Sequence, residues 1–153
     1  AHTPGSLEAV YKTLREKLNS PSTPLGTSTQ TRRRLVCVLG ACGGGRDKWK
    51  RPIFGKLAQK YCDEIILTDE DPYDENPLSI LKEIESGFSQ TQNSKLKTQT
   101  ILDRREAIRK ALTLAGKGDI VVITGKGSET SMAVSGGRKI PWSDKGVVLE
   151  LLK

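Results

Sequence analysis

Apolar positions recur along the chain with two different periods. Leu7, Val10, Tyr11 and Leu14 are spaced three to four residues apart, which predicts an amphipathic helix. Short continuous apolar runs, such as LVCVL at 35–39, predict buried strands instead. The same criteria predict helices at 6–18, 52–61, 77–88 and 104–115, strands at 35–39, 64–68 and 119–124, an exposed polar turn at 89–99, and a final short helix or strand within 143–153.

The predicted helices and strands alternate along the chain. This order predicts a single α/β domain over 1–153, Rossmann-like and three-layered, with helices on both faces of a mostly parallel sheet. A stretch rich in Ser, Thr and Pro at 19–34 is predicted to be a flexible linker within that domain.

A polar loop follows each predicted strand. The first loop, GACGGGRDKWKR (40–51), combines glycines with cations, the second loop, DEDPYDENP (69–77), is acidic, and the third loop is GKGSE (125–129). Ligands of open parallel sheets bind beyond the carboxyl ends of the strands. The three loops therefore predict a site with charges of both signs, as a zwitterion such as an amino acid requires. Spacing alone leaves open that they are ordinary polar loops.

The glycines of the first loop suggest a close approach between the backbone and an anion. Glycine removes the Cβ that would stand in the way, and the helix that follows presents free N–H groups. Neither phosphate motif, GxxxxGK[ST] or GxGxxG, is complete in the chain. We therefore expect no self-sufficient triphosphate cradle here.

The net charge of +7 favours anionic partners, among them nucleotides, acidic metabolites and nucleic acid. The few aromatic residues do not interleave with the cations, so a nucleic-acid partner is not expected. No apolar run is long enough to span a membrane and no signal peptide is recognisable, so we expect a cytoplasmic protein. A start at Ala1 rather than Met indicates a segment of a longer protein.

The metal-binding and redox residues are few. Cys37, Cys42 and Cys62 show no CxxC spacing and no even count, so we expect three free thiols in a reducing compartment. Cys37 and Cys62 lie in apolar segments and are predicted core residues, whereas Cys42, in the first loop, is a candidate reactive thiol. His2 is the single histidine, so no metal site is expected.

Five motifs along the chain together resemble the C-terminal domain of Mur ligases, most closely those that add the third residue of the peptidoglycan stem peptide. They are, in order, AHTPGSLE, GACGGGRDKWKRP, DPYDENP, ILDRREAI and GKGSE. The resemblance implies an ATP-dependent ligase of three domains. One domain binds the UDP-sugar peptide, a central ATPase domain holds the phosphate loop and Mg²⁺, and this domain brings the incoming amino acid and part of the ATP site.

The chemistry implied by the resemblance is amide formation through an acyl phosphate. ATP would phosphorylate a carboxylate of UDP-N-acetylmuramoyl-L-alanyl-D-glutamate, and the amine of a diamino acid would then displace phosphate. Catalysis of this kind depends on positioning and charge stabilisation. Without the central domain, this chain alone is expected to be inactive, and no catalytic residue is assigned to it.

The resemblance also assigns binding residues. Arg46 matches the arginine that grips the carboxylate of the incoming amino acid, which suits a guanidinium because it binds a carboxylate through two parallel hydrogen bonds. Gly125 and Glu129 match further amino-acid contacts. The nucleotide contacts would be His2, Lys50 and Arg51.

The second loop departs from the resemblance. Members that add diaminopimelate read Asp-Asn-Pro-Arg there, and the arginine holds the distal carboxylate. This chain has Glu70, Asp71, Pro72 and Tyr73, with further acids around them. Because so acidic a loop disfavours a second carboxylate, Asp71 and Tyr73 predict a cationic diamine such as L-lysine or ornithine rather than diaminopimelate.

Two other classes of function remain open at this stage. One is a related ATP-dependent amide ligase of the folylpolyglutamate synthetase type, although an acidic second loop suits glutamate poorly. The other is a nonenzymatic module that binds anions or nucleic acid, which only the net charge supports.

Overall fold

A four-stranded parallel sheet forms the centre of the computed structural model, which describes residues 2–21, 32–90 and 96–153. The strand order is β3-β2-β1-β4, and Val38 of the first strand pairs with both Ile66 and Ile123. A separate antiparallel hairpin follows the sheet. The strands are β1 (Leu35–Leu39), β2 (Glu64–Leu67), β3 (Lys97–Thr100) and β4 (Ile120–Ile123), with β5 (Ser131–Val134) and β6 (Arg138–Pro141) in the hairpin.

Local sequence fixes where most of the helices begin. Thr3 and Ser6 form a reciprocal capping box, and the side chains of Asn76, Asp103 and Ser143 each accept a hydrogen bond from a first-turn N–H. These caps satisfy N–H groups that have no partner within the helix. The helices are α1 (Pro4–Asn19), α2 (Lys50–Tyr61), α3 (Pro77–Glu85), α4 (Arg104–Leu114) and α5 (Asp144–Leu151).

The sheet lies between two layers of helices. Alternate side chains of β1 point to opposite faces, as the pleat requires. Leu35, Cys37 and Leu39 pack in the core that includes α1, α2 and α3, whereas Val36 and Val38 pack with Ala107 and Ala111 of α4. Every residue of β1 and β2 is buried, which is typical of parallel strands covered on both faces. The predicted three-layer α/β fold is therefore confirmed.

The sequence misses three strands. β3 has the polar sequence KTQT and lies at the edge of the sheet within the predicted turn, and the β5–β6 hairpin was not predicted. The C-terminal segment is a helix, α5, one of the two forms expected for it. None of the helices described is long and apolar enough to cross a membrane.

The predicted linker at 19–34 is anchored where the structure describes it. Asn19 is the last residue of α1, and Arg33 donates to the carbonyl oxygens of Leu18 and Ser20 at 2.8 Å each. Residues 22–31, most of the predicted linker, lie outside the described residues.

The amino end of the sheet holds a network of paired charges, which we call the amino-end cluster and define as Arg34, Glu64 and Asp119. Arg34 binds Asp119 with Nη2 to Oδ2 at 2.9 Å, and it also donates to Glu64 and to the carbonyl oxygen of Leu114. The Arg34 backbone N–H adds a hydrogen bond of 2.7 Å to Asp119. Each charge of this cluster therefore has a partner within the chain.

Two of the cysteines correct the sequence-based expectation. Cys37 of β1 and Cys62, the residue that caps α2, form a disulfide with their Cα atoms 6.2 Å apart. Both are buried, as predicted, but they are not free thiols. The chain separates them by 25 positions, and packing of α2 on this face of the sheet brings them together. A spacing rule built on short motifs does not detect such a pair.

Candidate functional site

The crevice of the sheet lies beside β1. After β1 the chain adds β2 and β3 on one side of β1, and then adds β4 on the other side. Parallel sheets bind ligands at such a switch point, where the strand order reverses. The first, second and third loops all leave the carboxyl ends of these strands. A cavity of about 320 Å³ opens beside the first loop, with Glu70 of the second loop and Thr124 at the end of β4 in its wall. Its lining includes His2, Arg46, Lys50, Glu70 and Thr124.

The inner glycines of the first loop serve packing between loops. A Cβ on Gly43 would lie 2.1 Å from the carbonyl oxygen of Pro72, and one on Gly40 would lie 2.6 Å from that of Thr68. The Gly43 N–H donates to the Asp71 carbonyl oxygen at 2.8 Å. These two glycines therefore allow a close approach to the end of β2 and the second loop. Both also line the cavity, and the contact with an anion stays a prediction.

The second loop has an unusual backbone. Asp71 and Tyr73 both have positive φ angles, +40° and +51°, which side chains other than glycine seldom adopt. The Asp71 carboxylate accepts a hydrogen bond of 2.7 Å from the Ala133 N–H of the hairpin, and Gly44 faces the ring of Tyr73. Contacts with the first loop and the hairpin thus hold this strained backbone in place.

Lys126 joins the second loop to the third. Its side chain is 1% exposed, and its Nζ donates to Asp71 Oδ2 and to Glu129 Oε2 at 2.6 Å each. Burial lowers the pKa of Lys126, but the two carboxylates outweigh burial and raise it. His2 approaches the same group, with Nε2 3.6 Å from Glu129 Oε1. The ion cluster Asp71–Lys126–Glu129 therefore links the second and third loops next to His2, which lines the cavity.

Arg104 is a buried residue that supports the loops of the site. It binds Asp144 through two hydrogen bonds of 2.8 Å. The same guanidinium donates to the carbonyl oxygens of Asp69 at 3.2 Å and Thr124 at 2.9 Å. It thereby ties the ends of β2 and β4 to α5.

The Arg51 guanidinium is also paired with carboxylates of the chain. Its side chain is 1% exposed and binds Glu75, Glu83 and the Cys42 carbonyl oxygen at 2.8–3.0 Å. The Arg51 hydrogen bonds lower the pKa of Glu75 to about 2. This geometry does not support the predicted contact between Arg51 and nucleotide phosphates, because its charge is already neutralised.

Glu70 is the exception among the acids of the second loop. The residue is 5% exposed and lines the cavity, and no residue in the described ranges donates a hydrogen bond to its carboxylate. Burial raises the pKa of Glu70 to about 7, and Arg104 opposes that rise only in part. A Cβ on Gly125 would lie 2.2 Å from Glu70 Oε2, so glycine is required where the third loop begins.

The first loop supplies the free cation of the site. Arg46 is exposed at the cavity and forms no ion pair with the residues described, whereas Lys50 binds Asp47 with Nζ to Oδ2 at 2.8 Å. Cys42 is nearby, and burial together with the charges of Glu70 and Asp71 raises its pKa. The thiol therefore keeps its proton, which does not favour the candidate reactive role.

The structure brings most of the predicted residues to one end of the sheet. Arg46, His2, Lys50 and Arg51 line the cavity, while Asp71, Gly125 and Glu129 adjoin it through the ion cluster and Glu70. Tyr73 contacts the first loop from the second.

Sequence reasoning missed Glu70, Arg104 and Lys126 as site residues. The motifs ILDRREAI and GKGSE contain the two cations, but nothing in a single sequence marks them as buried. Among residues 2–21, 32–90 and 96–153, no group of three His, Cys, Asp or Glu is arranged to hold a metal ion.

Comparison with known proteins identifies the family. A family model described as "Mur ligase, glutamate ligase domain" matches residues 1–127. The UDP-N-acetylmuramoyl-L-alanyl-D-glutamate–2,6-diaminopimelate ligase of Nitrosomonas europaea is 43% identical over 99% of this chain, and that of Syntrophomonas wolfei is 42% identical over all of it. The chain spans 28% of the length of each of these relatives.

Solved structures agree with this assignment. A structure of a ligase with the same name superposes with a TM-score of 0.80 at 31% identity, over 99% of this chain and 28% of that one. A murein peptide ligase from Psychrobacter arcticus superposes with a TM-score of 0.58 at 17% identity, over 99% of this chain and 25% of that one. The second likeness supports the fold alone.

The names of the relatives contradict the expected preference for a lysine-like substrate over diaminopimelate. The structure supplies a physical reason. The charge argument treated the acids of the second loop as free, yet Lys126 neutralises Asp71, Arg51 neutralises Glu75, and Asp74 accepts the Gly136 N–H at 2.9 Å. Much less negative charge therefore faces a substrate than the sequence suggests.

Proposed function

The chain belongs to the Mur ligase family, and from this premise we propose that it is the amino-acid-binding C-terminal domain of an ATP-dependent ligase of peptidoglycan synthesis. The ligase joins 2,6-diaminopimelate to UDP-N-acetylmuramoyl-L-alanyl-D-glutamate, the reaction named for the relatives. Because the chain is much shorter than those relatives, the UDP-sugar peptide and the ATPase machinery belong to other domains of the same cytoplasmic enzyme.

One observation carries the proposal. An unpaired guanidinium, Arg46, and an ion cluster of both signs, Asp71–Lys126–Glu129, lie at the same end of the sheet. Arg46 binds the α-carboxylate of the incoming amino acid through two hydrogen bonds. Diaminopimelate carries an ammonium and a carboxylate at its distal end as well. Within the cluster, Glu129 is 43% exposed and offers a carboxylate to the distal ammonium. Lys126 is buried between Asp71 and Glu129 and holds these two acids in place.

The residues of this chain contribute mainly by positioning. The amine must meet the activated carboxylate in a fixed geometry, and alignment of two reactants supplies a large share of the rate. ATP supplies the phosphoryl group that activates the substrate carboxylate. Of the predicted nucleotide contacts, His2 and Lys50 fit this part, since both line the cavity and His2 is 70% exposed. The Mg²⁺ ligands belong to the central domain.

The test is a ligation assay on the full-length enzyme. With ATP and the UDP-sugar dipeptide, we expect phosphate release and product with diaminopimelate, and much slower turnover with L-lysine. Faster ligation of lysine would contradict the substrate assignment, and no ligation of either would contradict the proposed function. The isolated chain is expected not to hydrolyse ATP, because the phosphate loop lies elsewhere.

The substitution Arg46→Ala tests whether Arg46 binds the incoming amino acid. Loss of a charge-assisted pair removes about 2 kcal/mol of binding, so we expect the KM for diaminopimelate to rise about 30-fold. Arg109→Ala is the matched control, because Arg109 lies on α4 in an exposed pair with Glu106. An equal effect of both substitutions would remove Arg46 from the binding site.

A further inference from the structure

The Glu70 carboxyl group lines the cavity but takes no part in the proposed binding of the amino acid. Asp71 and Glu129 share the Lys126 ammonium and Glu75 pairs with Arg51, but the Glu70 carboxylate accepts no hydrogen bond from the residues described. It nevertheless lies 95% buried at the wall of the cavity. Burial of a carboxyl group without a partner is costly, so the fold keeps it there at the expense of stability.

The position of Glu70 is fixed on several sides. Its backbone N–H donates to the Asp69 side chain at 2.9 Å, its Cβ lies 2.8 Å from where a Cβ on Gly40 would be, and its carboxyl group lies against Gly125. All three loops therefore contact this one residue. A side chain held this way can face a substrate with little rearrangement.

We propose that Glu70 accepts the proton that the amine of the incoming amino acid must lose before it attacks. The inference rests on the proposed function and adds a catalytic residue to it. Arg46 binds the α-carboxylate at the same cavity that Glu70 lines, so the α-ammonium of that amino acid enters the space in front of Glu70.

The step balances in protons and bonds. The Glu70 carboxylate takes one proton from the ammonium and becomes a neutral carboxylic acid, which leaves the lone pair of the amine free. The amine nitrogen then forms a bond to the carbonyl carbon of the acyl phosphate, and the bond from that carbon to the phosphate oxygen breaks. The phosphate leaves with the electron pair and takes up the second proton of the nitrogen.

The charges around Glu70 suit this exchange. Arg104 faces it from α4, Asp71 from its own loop, and Lys126 and Glu129 from the third loop. Burial, the largest cause, raises the pKa of Glu70 to about 7; Asp71 and Glu129 add to the rise, and Arg104 and Lys126 oppose it. A proton acceptor works best when its pKa is near the working pH, and such a group contributes about 10²–10⁴-fold in rate.

The experiment separates activation of the substrate from attack by the amine. Full-length enzyme carrying Glu70→Gln is assayed twice, once for ligation of diaminopimelate and once for hydroxamate formation with hydroxylamine. Hydroxylamine is largely unprotonated at pH 8 and traps the acyl phosphate without help from a proton acceptor. Glu150→Gln, an exposed residue of α5 paired with Arg105, is the control.

We expect Glu70→Gln to lower the kcat of ligation at least 100-fold, with hydroxamate formation and the KM for diaminopimelate within about threefold of wild type. Equal loss of hydroxamate, a rise in KM with kcat unchanged, or ligation at the wild-type rate would each overturn the proposal. Failure of the wild-type enzyme to ligate any amino acid would instead overturn the proposed function.

A measurement on the wild type keeps the proposal testable even where the variant does not fold. The single-turnover rate of ligation is expected to rise with pH up to about 7, where Glu70 loses its proton, and then to level off. Hydroxamate formation is expected to lack this limb. A ligation rate that keeps rising toward the pKa of the amine itself would show that the amine loses its proton to solvent, and would overturn the assignment.

Discussion

The two ends of the central sheet differ in whether their charged side chains have partners within the chain. At the amino end, Arg34 binds Glu64, Asp119 and a helix carbonyl, and no charge of that cluster lacks a partner. At the carboxyl end, Arg46 forms no ion pair and Glu70 accepts no hydrogen bond from the residues described. Both ends are built on the same strands, so the strands themselves do not set the difference.

This comparison separates groups that stabilise the fold from groups reserved for a ligand. Arg104 and Arg51 lie at the carboxyl end too, yet each is buried and paired with carboxylates, and each holds loops in place. Arg46 and Glu70, whose charged groups have no partner among the residues described, are the first candidates to contact a substrate. Position at the carboxyl end is therefore insufficient evidence of function, and the state of each charge must be known.

The largest effect is expected from Arg104→Met. The change leaves Asp144 buried without its ionic partner, which costs about 3–5 kcal/mol in the free energy of unfolding. Denaturant unfolding of the chain measures it, and Glu106→Gln, an exposed position on the same helix, is the control. A loss below 1 kcal/mol would mean that the frame of the site does not depend on this pair.

Glu70→Gln is expected to change stability in the opposite direction. The folded pKa of about 7 lies above the ordinary 4.5, so the folded state holds the proton more tightly than the unfolded chain. Wild-type stability from this group is present below pH 4.5 and is lost as pH rises to about 7, by at most about 3 kcal/mol.

Unfolding free energies at pH 4 and pH 8 test this sign. We expect Glu70→Gln to equal the wild type at pH 4 and to exceed it at pH 8. A variant less stable than wild type at pH 8 would show that the carboxylate stabilises the fold, and the contrast between the two ends of the sheet would fail.

A pair of glycines in the third loop gives a smaller effect. Gly125→Ala places a methyl group against Glu70 and strains a φ of +113°, whereas Gly127→Ala, at φ +55°, meets no atom within 4 Å. We expect losses of about 2 and about 1 kcal/mol in the free energy of unfolding. Only the first substitution should also slow ligation, because only it displaces Glu70. Equal kinetics for both variants would contradict this.

The smallest effect on substrate binding is expected from Arg34→Met at the amino end. Its side chain is partly exposed, so water replaces some of the lost hydrogen bonds and the cost is about 1–2 kcal/mol. Thermal unfolding measures the loss, and the KM for diaminopimelate in the full-length enzyme should not change. A shift in KM would indicate that the two ends of the sheet are coupled.

Sequence patterns predicted the core elements well and the polar ones poorly. The bounds of β1 at 35–39 were predicted as they are found, because five consecutive apolar residues between polar segments admit few alternatives. β3 has no apolar residue to reveal it, since an edge strand of sequence KTQT is held by backbone hydrogen bonds to β2. The disulfide escaped prediction for a related reason, because only folding brings its two cysteines together.

The convergence of the three loops at one end of the sheet was predicted from the sequence, but the pairing of their charges was not. The positions of the three loops follow from the order of strands, so the meeting of Arg46, Asp71 and Glu129 at one end was foreseeable. Which acids are neutralised depends on where Lys126 and Arg51 point, and a linear sequence does not contain that information. The mistaken preference for lysine arose from this gap.

The contact between the inner glycines and the second loop has a consequence for how a substrate arrives. With no space for even a methyl group at Gly43, the two loops cannot separate or slide without breaking the backbone contact between them. This part of the site is therefore formed before the substrate binds, and little conformational entropy is lost in ordering it. Under the proposed function, selectivity among similar diamines then depends on the fixed shape of the binding site, rather than on loops that close around the substrate.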